Sequence, residues 1–221
     1  MKKAVVLLSG GQDSTTCLFW ALSKHFDVHA IGFNYGQRHK VELEMAEKIA
    51  QKAGVPYTIF DVRGIFQNSS LVDMNQDVNA PHSINKDLPS SFTAGRNLVF
   101  LSVATGFAYN IGAQDIITGV CQTDFSGYPD CRQIFIDSME LASSRAVDAP
   151  IFIHTPLMEL TKAETWKLAK TLDIVDLIIN DTMTDYNGDM TMNEWGRGVP
   201  DSPSNKLRAS GYYDAKAKGW L

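Results

Sequence analysis

The sequence is poor in cysteine, in basic charge and in long apolar runs, and each shortage excludes a class of protein. Its three cysteines, Cys17, Cys121 and Cys131, are an odd number that forms no disulfide framework, which fits a reducing cytoplasm. Lysine and arginine number 20 against 25 acidic residues, so a nucleic-acid-binding surface is not expected. The apolar run 4–8 is too short for a signal peptide, and no later run has membrane-spanning length. We therefore expect a cytoplasmic protein that binds neither nucleic acid nor membranes.

Strand and helix signals alternate along the chain, which predicts an α/β fold with a doubly wound, mostly parallel sheet. Residues 1–180 carry this alternation and form the expected domain, whereas 181–221 form an expected small irregular tail. The stretch 62–93 is polar, with several Asn, Ser, Asp and Pro residues, and is expected to be a lid or insertion. The segment 98–109 is apolar nearly all round and is expected to be a buried helix. The other predicted helices are one from Ser14 onward, 40–53, 132–145 and 162–172, and the predicted strands are 4–8, 28–33, 57–60, 116–118 and 151–153.

The most informative segment is the loop 9–14, Ser-Gly-Gly-Gln-Asp-Ser, directly after the first predicted strand. Its two glycines permit a tight turn and let backbone N–H groups approach an anion at the start of the following helix. Ser9 and Ser14 can donate hydrogen bonds to phosphate oxygens. Asp13 is explained by a Mg²⁺ ion between its carboxylate and the phosphate. No Gly-Lys-Ser/Thr follows, so the loop is not a Walker loop. The alternative is an ordinary tight turn with a Ser or Asp cap.

Three further segments place polar residues where predicted strands end. They are Phe33-Asn-Tyr-Gly-Gln-Arg-His39, Gly95-Arg-Asn97 and the stretch 119–132. Ligands of such sheets bind beyond the carboxyl ends of the strands, where these segments meet. One rim is therefore expected to hold the charged residues that suit a polyanion and a polar heterocycle, namely Arg38, Arg96, Arg132, Asp124 and Asp130.

Lys162 begins a predicted helix in which Thr161 and Glu164 have the spacing of a capping box. A lysine at a helix start opposes the helix dipole, so it either points to solvent or meets an anion, and we favour a phosphate. Cys121 and Cys131 lie near the same rim. They are either catalytic thiols or small packing residues, and packing is favoured because no base partner is identified.

The first loop resembles the pyrophosphate-binding loop of the N-type ATP pyrophosphatases, which cleave ATP between the α and β phosphates and adenylate a substrate oxygen. The wider set of segments is similar to the QueC family of 7-cyano-7-deazaguanine synthases, up to about residue 213. These segments are SGGQDSTTCL, FNYGQRH, GRN, TGVCQTDFSGYPDCR and TPLM followed by KAETW, in the family's order and at similar separations.

The resemblance implies conversion of 7-carboxy-7-deazaguanine and free ammonia to the nitrile with two ATP, and it leaves a homodimer possible. Asp13, Lys162 and Arg96 are expected to be catalytic, with Mg²⁺ held through Asp13. The expected ATP-binding residues are Leu8, Ser9, Gly10, Gly11, Gln12, Asp13, Ser14, Phe33, Arg38, Gly95, Arg96 and Gly119. The expected substrate-binding residues are Asp124, Phe125, Ser126, Gly127, Tyr128, Asp130 and Arg132.

The tail departs from the family pattern, which ends in a zinc knuckle with four cysteine ligands before an L-R-x-x-G ending. Leu207-Arg-Ala-Ser-Gly211 matches that ending. The corresponding positions hold Asp185, Val199, Ser202 and Asn205, so no zinc site is expected. Hydrogen bonds among the polar three, and an apolar plug, are expected in its place; the plug residues are Trp195, Val199, Pro200 and Pro203. Two alternatives stay open, and the altered tail motivates the first of them. One is an enzyme that stops at 7-amido-7-deazaguanine, and the other is a non-catalytic nucleotide or deazapurine sensor.

Overall fold

The computed structural model has an α/β fold built on one five-stranded sheet. The residues it describes are 1–37, 41–66, 69–72, 82, 84–86, 88, 90–123, 128–184, 189–200 and 202–221. The strands of the sheet are β1 (Lys3–Leu7), β2 (Asp27–Asn34), β3 (Tyr57–Asp61), β4 (Asp115–Ile117) and β5 (Phe152–His154). They lie in the order β3-β2-β1-β4-β5, and every neighbouring pair is parallel. The predicted fold class is confirmed.

Helices connect and cover these strands. The helices are α1 (Gln12–Ser23), α2 (Val41–Ala53), α3 (Arg96–Ile111), α4 (Gln133–Val147), α5 (Lys162–Thr171), α6 (Val175–Asp181) and α7 (Pro203–Ala217), with a 3₁₀ turn at Pro129–Cys131. A short antiparallel pair, β6 (Met192–Asn193) and β7 (Gly196–Arg197), precedes α7. Among the described helices, none has the length and apolar character needed to cross a bilayer.

Two hydrophobic clusters cover the two faces of the sheet, as the alternation of side chains along a strand requires. In β1, Val5 and Leu7 belong to the cluster that includes residues of α3 and α4. Ala4 and Val6 belong to the opposite cluster, with residues of α1 and α2. Buried on both faces, the central strand is apolar throughout its inner part, which is why the run 4–8 predicts it so clearly.

The expectation that 98–109 is buried all round was wrong for one side of the helix. Leu101, Ala104 and Ala108 are buried, but Leu98 is 47% exposed and Tyr109 is 56% exposed. A helix that packs on one face of a sheet buries the stripe that faces the sheet and leaves the opposite stripe outside. The prediction from apolar composition therefore overestimated how much of α3 is buried.

The tail is more regular than expected, because α7 extends over 15 residues. Ser202 is its N-cap and accepts a hydrogen bond from Asn205 N–H at 3.3 Å, and Pro203 occupies the first turn. A serine directly followed by proline is a helix-start signal, and it was not used in predicting the tail. Buried residues of α5, α6 and α7 form a third hydrophobic cluster around Trp166 and Trp195.

Candidate active site

A cavity of about 1230 Å³ opens at the carboxyl ends of β1, β2 and β4. Strands β2 and β3 follow β1 toward one edge of the sheet, and the chain then returns to place β4 next to β1 on the opposite side. Connections that diverge in this way leave a crevice beyond the strand ends, which is where open α/β sheets bind ligands. The loop 9–14 forms the floor of this crevice.

The loop brings the start of α1 to the cavity, and no described side chain caps the first turn by a hydrogen bond. Gly10 has φ +85°, a conformation that glycine adopts at low cost. A Cβ atom at this position would also collide with the backbone of α2 at Glu42 and Ala46. Gly11 is the N-cap of α1, and no described side chain caps the first turn. The backbone N–H groups of that turn therefore remain for an anionic ligand.

The hydroxyls of the loop bond to each other and to its backbone. Ser9 Oγ lies 3.1 Å from Ser14 Oγ, and Ser14 Oγ accepts from Ser9 N–H at 3.2 Å. Ser14 Oγ also donates to the Gly11 carbonyl at 3.2 Å. These bonds hold both hydroxyls at the cavity surface, where they are placed to exchange partners with phosphate oxygens.

The loop after β4 packs directly on the loop 9–14. A Cβ atom at Gly119 would lie 3.1 Å from both Asp13 C and Ser14 N. Glycine is therefore the residue that lets the β4 loop reach the start of α1. This contact joins the two strand ends that border the crevice.

Asp13 and Lys162 form an ion pair at the centre of the site. Lys162 Nζ lies 2.9 Å from Asp13 Oδ2 and 3.0 Å from Asp13 Oδ1. The lysine side chain is 9% exposed and the aspartate side chain 31%. Lys162 starts α5, and the capping box predicted from Thr161 and Glu164 is confirmed. The lysine was expected either to point to solvent or to contact an anion. In the structure it contacts an anion, the Asp13 carboxylate.

Arg96 stands on a second wall of the cavity, at the start of α3. Its guanidinium lies 6.0 Å from the centre of the Tyr35 ring. Gly95 before it has φ +72°, so the chain turns into α3 at this point. Burial raises the pKa of Tyr35 to about 12, so its hydroxyl stays neutral near neutral pH. This wall combines a cation with an aromatic face.

The turn Pro129–Cys131 is fixed to the start of α3. Asp130 Oδ2 accepts from Asn97 N–H at 3.1 Å, and the Asn97 side chain donates to the Asp130 carbonyl at 3.1 Å. The Tyr128 hydroxyl lies 2.7 Å from Ser91 Oγ. Asp130 is thus buried as a helix-start acceptor, while Tyr128 and Arg132 on either side of the turn line the cavity.

The thiols of Cys17 and Cys121 contact backbone carbonyls, whereas Cys131 Sγ accepts from the Asn97 side-chain amide at 3.5 Å. Cys121 Sγ lies 3.3 Å from the Leu160 carbonyl, and Cys17 Sγ lies 3.7 Å from the Thr118 carbonyl. Burial raises the pKa of the Cys17 thiol well above its ordinary value, and the nearby Asp13 carboxylate raises it further. A protonated thiol is a poor nucleophile, so the Cys17 thiol is not suited to attack. For Cys121 and Cys131 the packing interpretation stays a prediction.

Most predicted site residues that the structure describes come together in the cavity lining. They are Leu8, Ser9, Gly11, Gln12, Asp13, Ser14, Phe33, Arg96, Gly119, Tyr128, Arg132 and Lys162. Gly10, Gly95 and Asp130 shape the adjacent backbone instead. Arg38 and the segment 124–127, which contains Asp124, Phe125, Ser126 and Gly127, lie outside the described residues, and their roles stay predictions.

The tail supplies a part of the lining that the sequence analysis missed. The lining includes Ser202, Ser204, Lys206 and Arg208 from the start of α7, and Tyr35 and Glu42 from elsewhere. A signal existed for Arg208, because it stands in the family-like element Leu207-Arg-Ala-Ser-Gly211. Glu42 carries no motif, and only the packing of α2 against the loop brings it to the cavity.

Hydrogen bonds connect the positions that correspond to the family's zinc ligands. Asn205 Nδ2 donates to the Val199 carbonyl at 2.8 Å, and Ser202 Oγ accepts from Asn205 N–H. Asp185 lies outside the described residues. Of the expected plug, Trp195 is 3% exposed and joins the third cluster, but Pro200 and Pro203 are exposed. Within the described part of the chain, no group of three His, Cys, Asp or Glu residues is placed to hold a metal.

We predict that the purified protein contains no stoichiometric structural zinc, because the ligand positions hold no thiolate and valine cannot coordinate metal. Chelators are then expected to leave the melting temperature unchanged. Elemental analysis measures the first quantity and thermal unfolding with and without chelator the second. One tightly held zinc ion per chain would contradict this prediction.

The parallel sheet, with a glycine-rich loop between its first strand and α1, gives the chain an ATP pyrophosphatase-type fold. The chain belongs to the family described as "Queuosine biosynthesis protein QueC", which it matches over residues 3–216. It is therefore an ATP-using enzyme of queuosine biosynthesis.

Solved structures with a similar fold come from several proteins. A predicted subunit of tRNA methyltransferase from Methanocaldococcus jannaschii is 19% identical, with a TM-score of 0.52 over 77% of this chain and 76% of that one. The NH3-dependent NAD synthetase of Campylobacter jejuni is 21% identical, with a TM-score of 0.47 over 80% and 66%. A 4-thiouridine synthetase in complex with RNA and ATP is 18% identical, with a TM-score of 0.49; the match covers 98% of this chain and 52% of that one.

Proposed function

We propose that this protein converts 7-carboxy-7-deazaguanine, ammonia and ATP to 7-cyano-7-deazaguanine. The observation that supports this best is the Asp13–Lys162 pair beside an uncapped helix start, inside a cavity with a separate aromatic and cationic wall. The ion pair and the helix start suit the phosphates of a nucleoside triphosphate. The aromatic and cationic wall suits a polar heterocycle. The proposed substrates and product are small molecules, so the reaction needs no macromolecular partner. We propose that it takes place in the cytoplasm.

The chemistry requires activation because a carboxylate has no good leaving group. A carboxylate oxygen of the substrate attacks the α-phosphorus of ATP, and pyrophosphate leaves. Ammonia then attacks the acyl carbon, AMP leaves with that oxygen, and one proton is lost to give the amide. The amide oxygen is adenylated by a second ATP in the same way. Loss of AMP and of the remaining N–H protons gives the nitrile.

The protein's contribution to these steps is positioning and neutralisation of charge. The first-turn N–H groups of α1 and the hydroxyls of Ser9 and Ser14 would bind the β and γ phosphates. Lys162 and Arg96 would stabilise the negative charge that pyrophosphate carries away. Free ammonia is the proposed nitrogen source, as in the reaction that the family resemblance implies.

The residues at the loop fit a magnesium ion of the kind that nucleotide enzymes use. Such ions take one or two carboxylates from the protein and the remaining ligands from phosphate and water. Asp13 offers one carboxylate at the cavity surface, 31% exposed in its side chain. A bound magnesium ion would supply charge neutralisation between this carboxylate and the phosphates, with Lys162 moving from the carboxylate toward phosphate oxygens.

The deazaguanine is proposed to bind along Tyr128, Arg132 and the preceding segment. Asp124 is proposed as the acceptor for the N1–H and N2–H edge of the base, and this residue lies outside the described part of the chain. Tyr128 and Arg132 line the same cavity as the phosphate loop. A substrate carboxylate and an α-phosphate are thereby within reach of one another in a single cavity.

The experiment that tests the proposal is the mass of the product. Protein, Mg-ATP, ammonia and 7-carboxy-7-deazaguanine are mixed, and the nitrile is expected, with AMP and pyrophosphate formed. Accumulation of 7-amido-7-deazaguanine with excess ATP and ammonia, together with failure to convert added amide, would establish the shortened reaction that the altered tail makes a second candidate. Binding of the deazapurine without any AMP formation would identify a sensor and overturn the proposal.

A further inference from the structure

Gly211 lies where α7 packs against the start of α5, and its missing side chain makes room for the stem of Lys162. A Cβ atom at Gly211 would lie 2.6 Å from Lys162 Cγ, 2.7 Å from Lys162 Cβ and 2.9 Å from the Lys162 carbonyl carbon. Two of these atoms belong to the part of lysine next to the backbone. They cannot yield by a rotation of the flexible end, so a side chain here displaces the start of α5.

The other end of the same lysine is held by Asp13. Its Nζ lies 2.9 Å and 3.0 Å from the two carboxylate oxygens, and its side chain is 9% exposed. Lys162 thus passes through a narrow path, with Gly211 against its stem and the phosphate loop at its tip. A displacement at the stem is transmitted to the ammonium group.

The two helices have little freedom to separate. Trp166, one turn further along α5, is fully buried and donates from Nε1 to the Arg208 carbonyl at 3.2 Å. Its ring meets Tyr212 edge to face at 5.2 Å between centroids. Arg208 and Tyr212 flank Gly211 in α7, so the helix is fixed on both sides of the glycine.

We propose that Gly211 is a positioning residue, which sets the path of Lys162 and so directs its ammonium group at the phosphates of ATP. The tail then has a direct part in the ATP site and is not only a cover for it. For catalysis the inference rests on the proposed function, but nucleotide binding tests the positioning without it.

The test uses four variants. Gly211→Ala adds the methyl group that meets Lys162. Gly106→Ala is the matched control, since Gly106 is exposed in α3 and a Cβ there meets nothing within 4 Å. Lys162→Gly removes both side-chain atoms that the methyl group would contact. The double variant Lys162→Gly with Gly211→Ala completes the cycle. The measurements are Mg-ATP affinity by calorimetry, AMP formation, and melting temperature.

Gly211→Ala is expected to weaken ATP binding and lower kcat by about tenfold or more, with the KM for the deazaguanine unchanged. Gly106→Ala is expected to change neither. In the Lys162→Gly background, Gly211→Ala is expected to change ATP affinity by less than about twofold, because coupled residues are not additive. Equal losses in both backgrounds, or no loss in either, would overturn the inference.

Folding and function are separated within the same set. If Gly211→Ala lowers the melting temperature, its further effect in the Lys162→Gly background is expected to be smaller, because only the contact with the backbone carbonyl carbon of residue 162 remains. A loss of melting temperature from Gly211→Ala that is equally large in both backgrounds would contradict the inference. If the wild type binds ATP but does not convert the deazaguanine, the proposed function fails. The cycle of ATP affinities then still decides whether Gly211 positions Lys162.

Discussion

Asp13→Asn is expected to reduce pyrophosphate release by about 100-fold or more, because it removes the charge that the site places beside the phosphates. The asparagine keeps the size of the side chain and its hydrogen-bonding oxygen. It loses the carboxylate that would share a magnesium ion with ATP, and Lys162 loses its counter-charge at 2.9 Å. The fold is expected to persist, since the side chain is partly exposed at the cavity surface. Pyrophosphate release is followed directly with saturating substrates.

Asp27→Asn is the matched control for this change. Asp27 starts β2 at the amino end of the sheet, opposite the cavity, and is exposed. Its substitution is expected to leave the rate unaltered. Near-normal pyrophosphate release from a folded Asp13→Asn protein would refute the assignment of Asp13 to the magnesium and phosphate chemistry.

Arg208→Met is expected to lower the melting temperature by about 10 °C, because it removes three hydrogen bonds that join α7 to earlier parts of the chain, two of them to buried carbonyls. The fully buried guanidinium donates to the Trp195 carbonyl at 2.9 Å, the Ile178 carbonyl at 2.8 Å and the Thr184 hydroxyl at 2.8 Å. Burial lowers the pKa of Arg208 to about 10, so the group remains charged at neutral pH. The Ile178 carbonyl keeps the Thr182 hydroxyl as a donor at 2.6 Å, whereas the buried Trp195 carbonyl loses its Arg208 donor. A buried acceptor left unpaired costs about 1–3 kcal/mol.

Arg63→Met provides the comparison, since Arg63 pairs with Asp61 on the surface with 63% of its side chain exposed. Exposed ion pairs contribute little to stability because water and salt screen them, so little change in melting temperature is expected. Arg208→Lys is expected to fall between the two, because an ammonium group keeps the charge without the three-way planar geometry. Equal melting temperatures for Arg208→Met and Arg63→Met would show that the buried network does not hold the tail.

The sequence determined those features that depend on local patterns. Apolar β-branched runs separated by helical periods predict the parallel α/β sheet, because the inner strands β1, β2 and β4 bury both faces. The glycine pair at Gly10 and Gly11 marks the turn, because the φ of +85° at Gly10 is one that glycine adopts at low cost. Thr161 and Glu164 mark the start of α5 through a hydrogen-bond exchange between residues three apart. These interactions involve near neighbours in the chain, so their residue types and spacing specify them.

Only the tertiary structure decided which distant residues meet. Asp13 and Lys162 lie 149 positions apart, and no local pattern indicates their ion pair. Glycine is required at position 211 because the side chain of Lys162 packs against it. Arg208 can be buried because it donates to three acceptors that precede α7 in the chain. Such contacts depend on how helices pack around the sheet. Packing is a property of the whole chain, whereas periodicity and capping belong to a few consecutive residues.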